Sequence, residues 1–83
     1  MVVKQKTLAN SFKIAPNPVE DDLNIQFEQI ETIQSIQIID VSGRVVLNAQ
    51  GVHSIRVGNL KTGMYFVRIT SPKGIGIRKF VKL

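Results

Sequence analysis

Gly63-Met64-Tyr65-Phe66-Val67-Arg68-Ile69-Thr70-Ser71 decides the fold of this 83-residue chain. Tyr65, Val67 and Ile69 alternate with Phe66, Arg68 and Thr70, and a period of two puts the first set on one face of a β-strand. Met64 and Phe66 fall on the opposite face, as a second core face or as a small exposed patch for a partner. After this strand, Ser71-Pro72-Lys73-Gly74 reads as a tight turn. Ile75 to Leu83 then reads as a last strand. Parity does not settle its inward face, because Ile77 and Phe80 have opposite parity and a bulge between them would reconcile the two.

Working back from Gly63, Gly58-Asn59-Leu60-Lys61-Thr62-Gly63 is a corner between strands. His53, Ile55 and Val57 alternate with Ser54 and Arg56 as a strand before it, with Gln50-Gly51 as the preceding turn. Arg44 to Ala49 is the return arm of a hairpin entered through Ile36 and Ile38. Asp40-Val41-Ser42-Gly43 forms its turn, since Asp can bond the turn backbone and Gly can take a positive φ. Glu28 to Thr32 is a polar connection. Leu23-Asn24-Ile25-Gln26-Phe27 alternates with Leu23, Ile25 and Phe27 on one face. Phe12-Lys13-Ile14-Ala15 is a short first strand, stopped by Pro16-Asn17-Pro18, whose prolines fix φ and remove two donors. Met1 to Ser11 is polar and aperiodic, a linker remnant over 1–11 ahead of one domain over 12–83. About seven short strands with frequent turn signals and no helical stripe predict an all-β, Ig-like antiparallel β-sandwich, with a small barrel as the alternative.

Composition narrows the function. A domain this small buries about 60–65% of its unfolded surface. It contains no cysteine, so neither disulfides nor zinc thiolates staple it, and stability rests on apolar packing and strand pairing. The apolar fraction of 43% supplies that core. No apolar run approaches the ~20 residues of a membrane span, and no signal-peptide h-region follows Lys4 and Lys6. The formal charge is +5. The single tyrosine and four phenylalanines do not interleave with basic residues as a base-stacking surface requires, so nucleic acid is not an expected partner.

The residues of catalysis are scarce. His53 is the only histidine. A triad from Ser54, His53 and Asp40 fails because adjacent strand residues point to opposite faces. The chain therefore reads as a non-enzyme without cofactor. Glu20-Asp21-Asp22 is the one acidic cluster. It suits a solvated loop that interrupts aggregation-prone strands better than a calcium site, which wants six to eight oxygens. Lys61, Lys73, Arg78, Lys79 and Lys82 crowd the C-terminal third, as strand-edge charge or as a basic recognition stripe.

Four features follow one another along the chain. Pro16-Asn17-Pro18 comes after a short strand. An Ile-x-Ile-x-Asp strand ending at Asp40 leads into Ser42-Gly43-Arg44-Val45-Val46. Leu60-Lys61-Thr62-Gly63-Met64-Tyr65-Phe66-Val67-Arg68-Ile69 follows, and the basic strand Arg78-Lys79-Phe80-Val81-Lys82 closes the series. Together they resemble the type A C-terminal sorting domains of type IX secretion cargo in Bacteroidetes, over Phe12 to Leu83. Physics gives each structural residue a role: Leu60 plugs the corner, Gly63 permits a backbone closed to other residues, and Tyr65 buries its ring while tethering its hydroxyl.

The resemblance implies a larger precursor whose upstream cargo domain crosses the inner membrane by a separate signal. The sorting domain would then be recognised in the periplasm by outer-membrane secretion machinery. It implies subsequent removal by a sortase-like protease, cutting within Met1–Ser11 or before Met1, and cargo at the cell surface or outside the cell. The family's basic recognition residues map onto Arg78, Lys79 and Lys82, with Leu83 as one residue of departure after the last lysine. Two alternatives share the sandwich: a surface-binding module, adhesive or carbohydrate-binding, for which Phe66 is the only plausible platform, and a structural Ig-like spacer.

Overall fold

The computed structural model describes residues 12–27, 32–72 and 74–83. The linker expected over 1–11 and most of the polar connection before Thr32 lie outside them. Seven strands form: β1 Phe12–Ala15, β2 Asp22–Phe27, β3 Ser35–Asp40, β4 Val45–Ala49, β5 Ser54–Arg56, β6 Gly63–Ser71 and β7 Gly74–Lys82. They pair in two antiparallel sheets, β1-β2-β5 and β4-β3-β6-β7. The sandwich is therefore found, and the barrel is not.

Alternation explains how the sheets face each other. From β6, Tyr65, Val67 and Ile69 point into the core, as do Ile36 and Ile38 from β3. The facing sheet contributes Phe12, Leu23, Ile25 and Ile55. Val57, just past β5, closes that side, and its amide donates to the Asp21 carbonyl at 2.6 Å. Each such side chain, fully buried, contributes about 1.5–3 kcal/mol. Phe27 and Leu60 are half-buried against this cluster. Val19 and Ile33 are wholly buried as well, although both lie outside the seven strands.

The register of β7 corrects the sequence expectation. Its pairing with β6 runs without interruption from Gly63↔Lys82 to Ser71↔Gly74, so no bulge separates Ile77 from Phe80. Phe80 is wholly buried and Ile77 is 53% exposed. The inward positions of β7 are thus Gly76, Arg78, Phe80 and Lys82, two of them cations. The one register shift in this sheet lies between Ile38 and Ile39, where the β3–β4 pairing steps from Leu47 to Val45. This bulge sets Val45 and Val46 together opposite Ile39 and leaves both valines exposed.

The continuous register makes a sharp prediction. Phe80→Ala removes a buried ring and should destabilise the domain by about 3–5 kcal/mol. Ile77→Ala should change stability by no more than about 0.5 kcal/mol. Urea unfolding of both variants checks this, and comparable losses would mean that Ile77 also reaches the core.

Candidate functional site

β7 is an edge strand, and an edge strand exposes unpaired amides and carbonyls. At its C-terminal end the β1–β2 connection covers that edge. Pro16 and Pro18 follow cis peptide bonds and have no N–H, so neither can donate to a strand. Val19 supplies the first backbone donor after them. Its amide donates to the Val81 carbonyl at 2.9 Å, and the Leu83 amide donates to the Val19 carbonyl at 2.9 Å. Val19 and Lys82 thereby form a parallel bridge. Between the prolines, the Asn17 side chain adds a third bond: its Oδ1 accepts from the Val81 amide at 2.9 Å.

The inward cations of β7 strengthen the same junction. The Arg78 guanidinium lies 4.4 Å from the centroid of the Phe12 ring. Its Nη2 donates to the Phe12 carbonyl at 3.2 Å and its Nη1 to the Ile77 carbonyl at 3.3 Å. Such cation–aromatic stacking contributes about 0.5–2 kcal/mol, more as water is excluded. Lys82 is 5% exposed. Its stem is sheltered while Nζ reaches the main-chain oxygen of Leu83. Lys79 alone of the three mapped basic residues is exposed, on the outward side of β7.

The corner before β6 is equally specified. The Tyr65 hydroxyl donates to the Lys61 carbonyl at 2.8 Å. Its buried ring stacks on Phe80, with centroids 5.8 Å apart. Leu60 tucks half-buried beneath the corner, its amide bonded to the Val57 carbonyl at 3.0 Å. Gly63 has φ +154 with nothing within 4 Å of where a Cβ would stand. Backbone conformation, rather than space, selects glycine there.

Residues 13–83 match the family model of the secretion system C-terminal sorting domain. The chain belongs to that family. No curated protein matches it. Membership makes it a C-terminal sorting signal of type IX secretion, carried by a larger cargo precursor and directing export toward the cell surface or the outside. The family is not an enzyme family. Among the described residues, no helix is long and apolar enough to cross a membrane.

The motifs that marked the sorting domain in its sequence are thus neighbours in space. Pro16-Asn17-Pro18 meets the end of the basic strand across a separation of 64 residues, and Tyr65 touches Phe80 of that strand. Two contributors escape a reading of the sequence. Val19 sits in a polar loop, and its one signal is a β-branched apolar residue directly after Pro18. The contact of Arg78 with Phe12 leaves no local trace. The residues of the formal triad do not converge: Ser54 belongs to the three-stranded sheet and Asp40 to the four-stranded one. In the acidic loop, the Asp22 carboxylate faces exposed Arg56 at 3.8 Å, and an Asp21 carboxylate oxygen would stand 3.0 Å from a Cβ at Gly58. A cleft of about 460 Å³ opens beside these residues, with Leu47, Asn59 and Leu60 on its walls.

Asp40 anchors the β3–β4 turn. Its Oδ1 accepts from the Ser42 hydroxyl at 2.6 Å, the Ser42 amide at 2.9 Å and the Arg44 amide at 3.0 Å, and Oδ2 accepts from Arg44 Nε at 3.1 Å. Gly43, at φ +92, donates to the Asp40 carbonyl at 3.0 Å. These bonds favour the carboxylate, the Ser42 hydroxyl most and the Arg44 amide next, and lower the Asp40 pKa from 3.8 to about 2. A depressed carboxyl stabilises the fold above its unfolded value, and that contribution disappears as pH falls through about 2. Carbon-detected NMR titration should find the Asp40 midpoint near 2, and Ser42→Ala should raise it. A wild-type midpoint near 3.8 would contradict this account of the turn.

Proposed function

We propose that this domain carries its cargo across the outer membrane by being read at β7, and that it is afterwards removed or used for surface attachment. The observation that supports this reading is the pinned geometry of β7. Loop, guanidinium and ammonium all fix the inner side of the strand, while Lys79 faces outward. The three mapped basic residues then have different tasks. Arg78 and Lys82 hold the strand in place, and Lys79 contacts the outer-membrane secretion machinery. A folded, rigid strand binds with less ordering cost than a loose tail. In this reading, the domain passes through the periplasm, and a sortase-like protease cuts upstream of it, within Met1–Ser11 or before Met1.

The test is a reporter with a secretory signal peptide and this chain at its C-terminus, expressed in a host with type IX secretion. The reporter should reach the surface or the medium. Lys79→Glu reverses one exposed charge at the reading surface and should lower export roughly 5–10-fold, the equivalent of about 1–1.4 kcal/mol. Retention of the intact wild-type fusion in the periplasm would overturn the proposal, as would undiminished export after deletion of Lys79 to Leu83.

A further inference from the structure

The two outward faces of the sandwich differ in kind. On the three-stranded sheet, the outward positions are Lys13 beside Gln26, Ala15 and Ser54 either side of Asn24, and Asp22 beside Arg56, all exposed and all but Ala15 polar. On the four-stranded sheet, one cross-strand row reads Val45, Ile39, Phe66, Lys79. The next row reads Asn48, Gln37, Arg68, Ile77, and Met64 pairs with Val81 at the end. Val45 is 48% exposed, Met64 44%, Ile77 53% and Val81 39%. The core does not use these side chains, and exposed apolar side chains gathered with cations on one sheet face mark an interaction surface.

Charge selects the occupant. Asp40 is the only carboxylate in the four strands, and it is committed to its turn. The outward face thus presents Arg68 and Lys79 among apolar side chains, with no acid paired with them among the described residues. We propose that this face docks a protein surface whose apolar side chains are flanked by Asp or Glu, so that carboxylates meet Arg68 and Lys79 while the apolar rows pack. This deepens the sorting reading and rests on it, because it names the surface by which the machinery holds the domain. A second copy of the chain would set Arg68 and Lys79 against the same charges, which disfavours a symmetric dimer. An anionic lipid surface would gain only about 1 kcal/mol from each of two cations, where lipid-binding segments gather four to eight.

The reporter fusion tests this when a photoreactive benzoylphenylalanine replaces Ile77, with Phe66 as a second position and Asn24 on the polar sheet as the control. The expected result is a protein adduct from Ile77 and Phe66 but not from Asn24. Its attachment site should map beside Asp or Glu residues, and its yield should fall at least about fivefold in the Arg68→Glu/Lys79→Glu double variant, the equivalent of about 1 kcal/mol. Normal export without an adduct at either position overturns the docking face and leaves the sorting reading standing. So do an adduct to lipid or to a second copy, an attachment site without carboxylates, and an adduct unchanged by charge reversal. Failure of the wild-type fusion to leave the periplasm overturns both.

Discussion

The backbone bridge between Val19 and Lys82 is the constraint on which the rest depends. A sandwich of three and four short strands without disulfides has little beyond its core to hold its sheets in register. Here the β1–β2 connection leaves its own sheet, buries Val19 completely and pairs with the end of the opposite one. Three hydrogen bonds to Val81 and Leu83 link the two sheets at the chain's last residues. Each contributes only about 0.5–1.5 kcal/mol, yet together they turn an edge strand into a held one. The prolines matter because they remove the donors on either side of Asn17 and leave the Val19 amide as the next one able to bond the strand.

The same junction explains why this domain keeps cations on the inner side of its last strand. Arg78 has a flat, weakly hydrated guanidinium that can lie on the Phe12 ring and still bond the Phe12 carbonyl. Lys82 lies at the mouth of the sandwich, where a long stem can be buried while its ammonium reaches the chain's end. In the proposed reading, the basic residues divide between holding and presenting. The apolar outer face of the four-stranded sheet gives the presenting side more to offer than charge.

Much of this was legible in the sequence wherever alternation was undisturbed. β2, β3 and β6 carry Leu23, Ile25, Ile36, Ile38, Tyr65, Val67 and Ile69 at a period of two, and all of them are buried. The Tyr65 tether was foreseeable because a buried phenol needs a partner. β7 defeated parity because amphipathic cations occupy two inward positions and an apolar Ile77 occupies an outward one. Such a pattern looks like a slipped register until the facing sheet is known. Val45 and Val46 lie in the return strand as expected, and the bulge that leaves both exposed has no signal in the sequence. Val19 was hidden because a loop has no period against which one apolar residue stands out.

Amide hydrogen exchange at Val81 and Leu83 tests the central claim most directly. Both amides lie at the end of an edge strand, and both are bonded to the loop. Their exchange should be clearly protected in the wild-type domain. In Asn17→Ala, Val81 should exchange several-fold faster, up to about tenfold for a loss near 1.4 kcal/mol, while the Ile38 and Val67 amides of the sheet interior keep their rates. Val81 and Leu83 amides exchanging at unprotected rates in the wild-type domain would contradict the account.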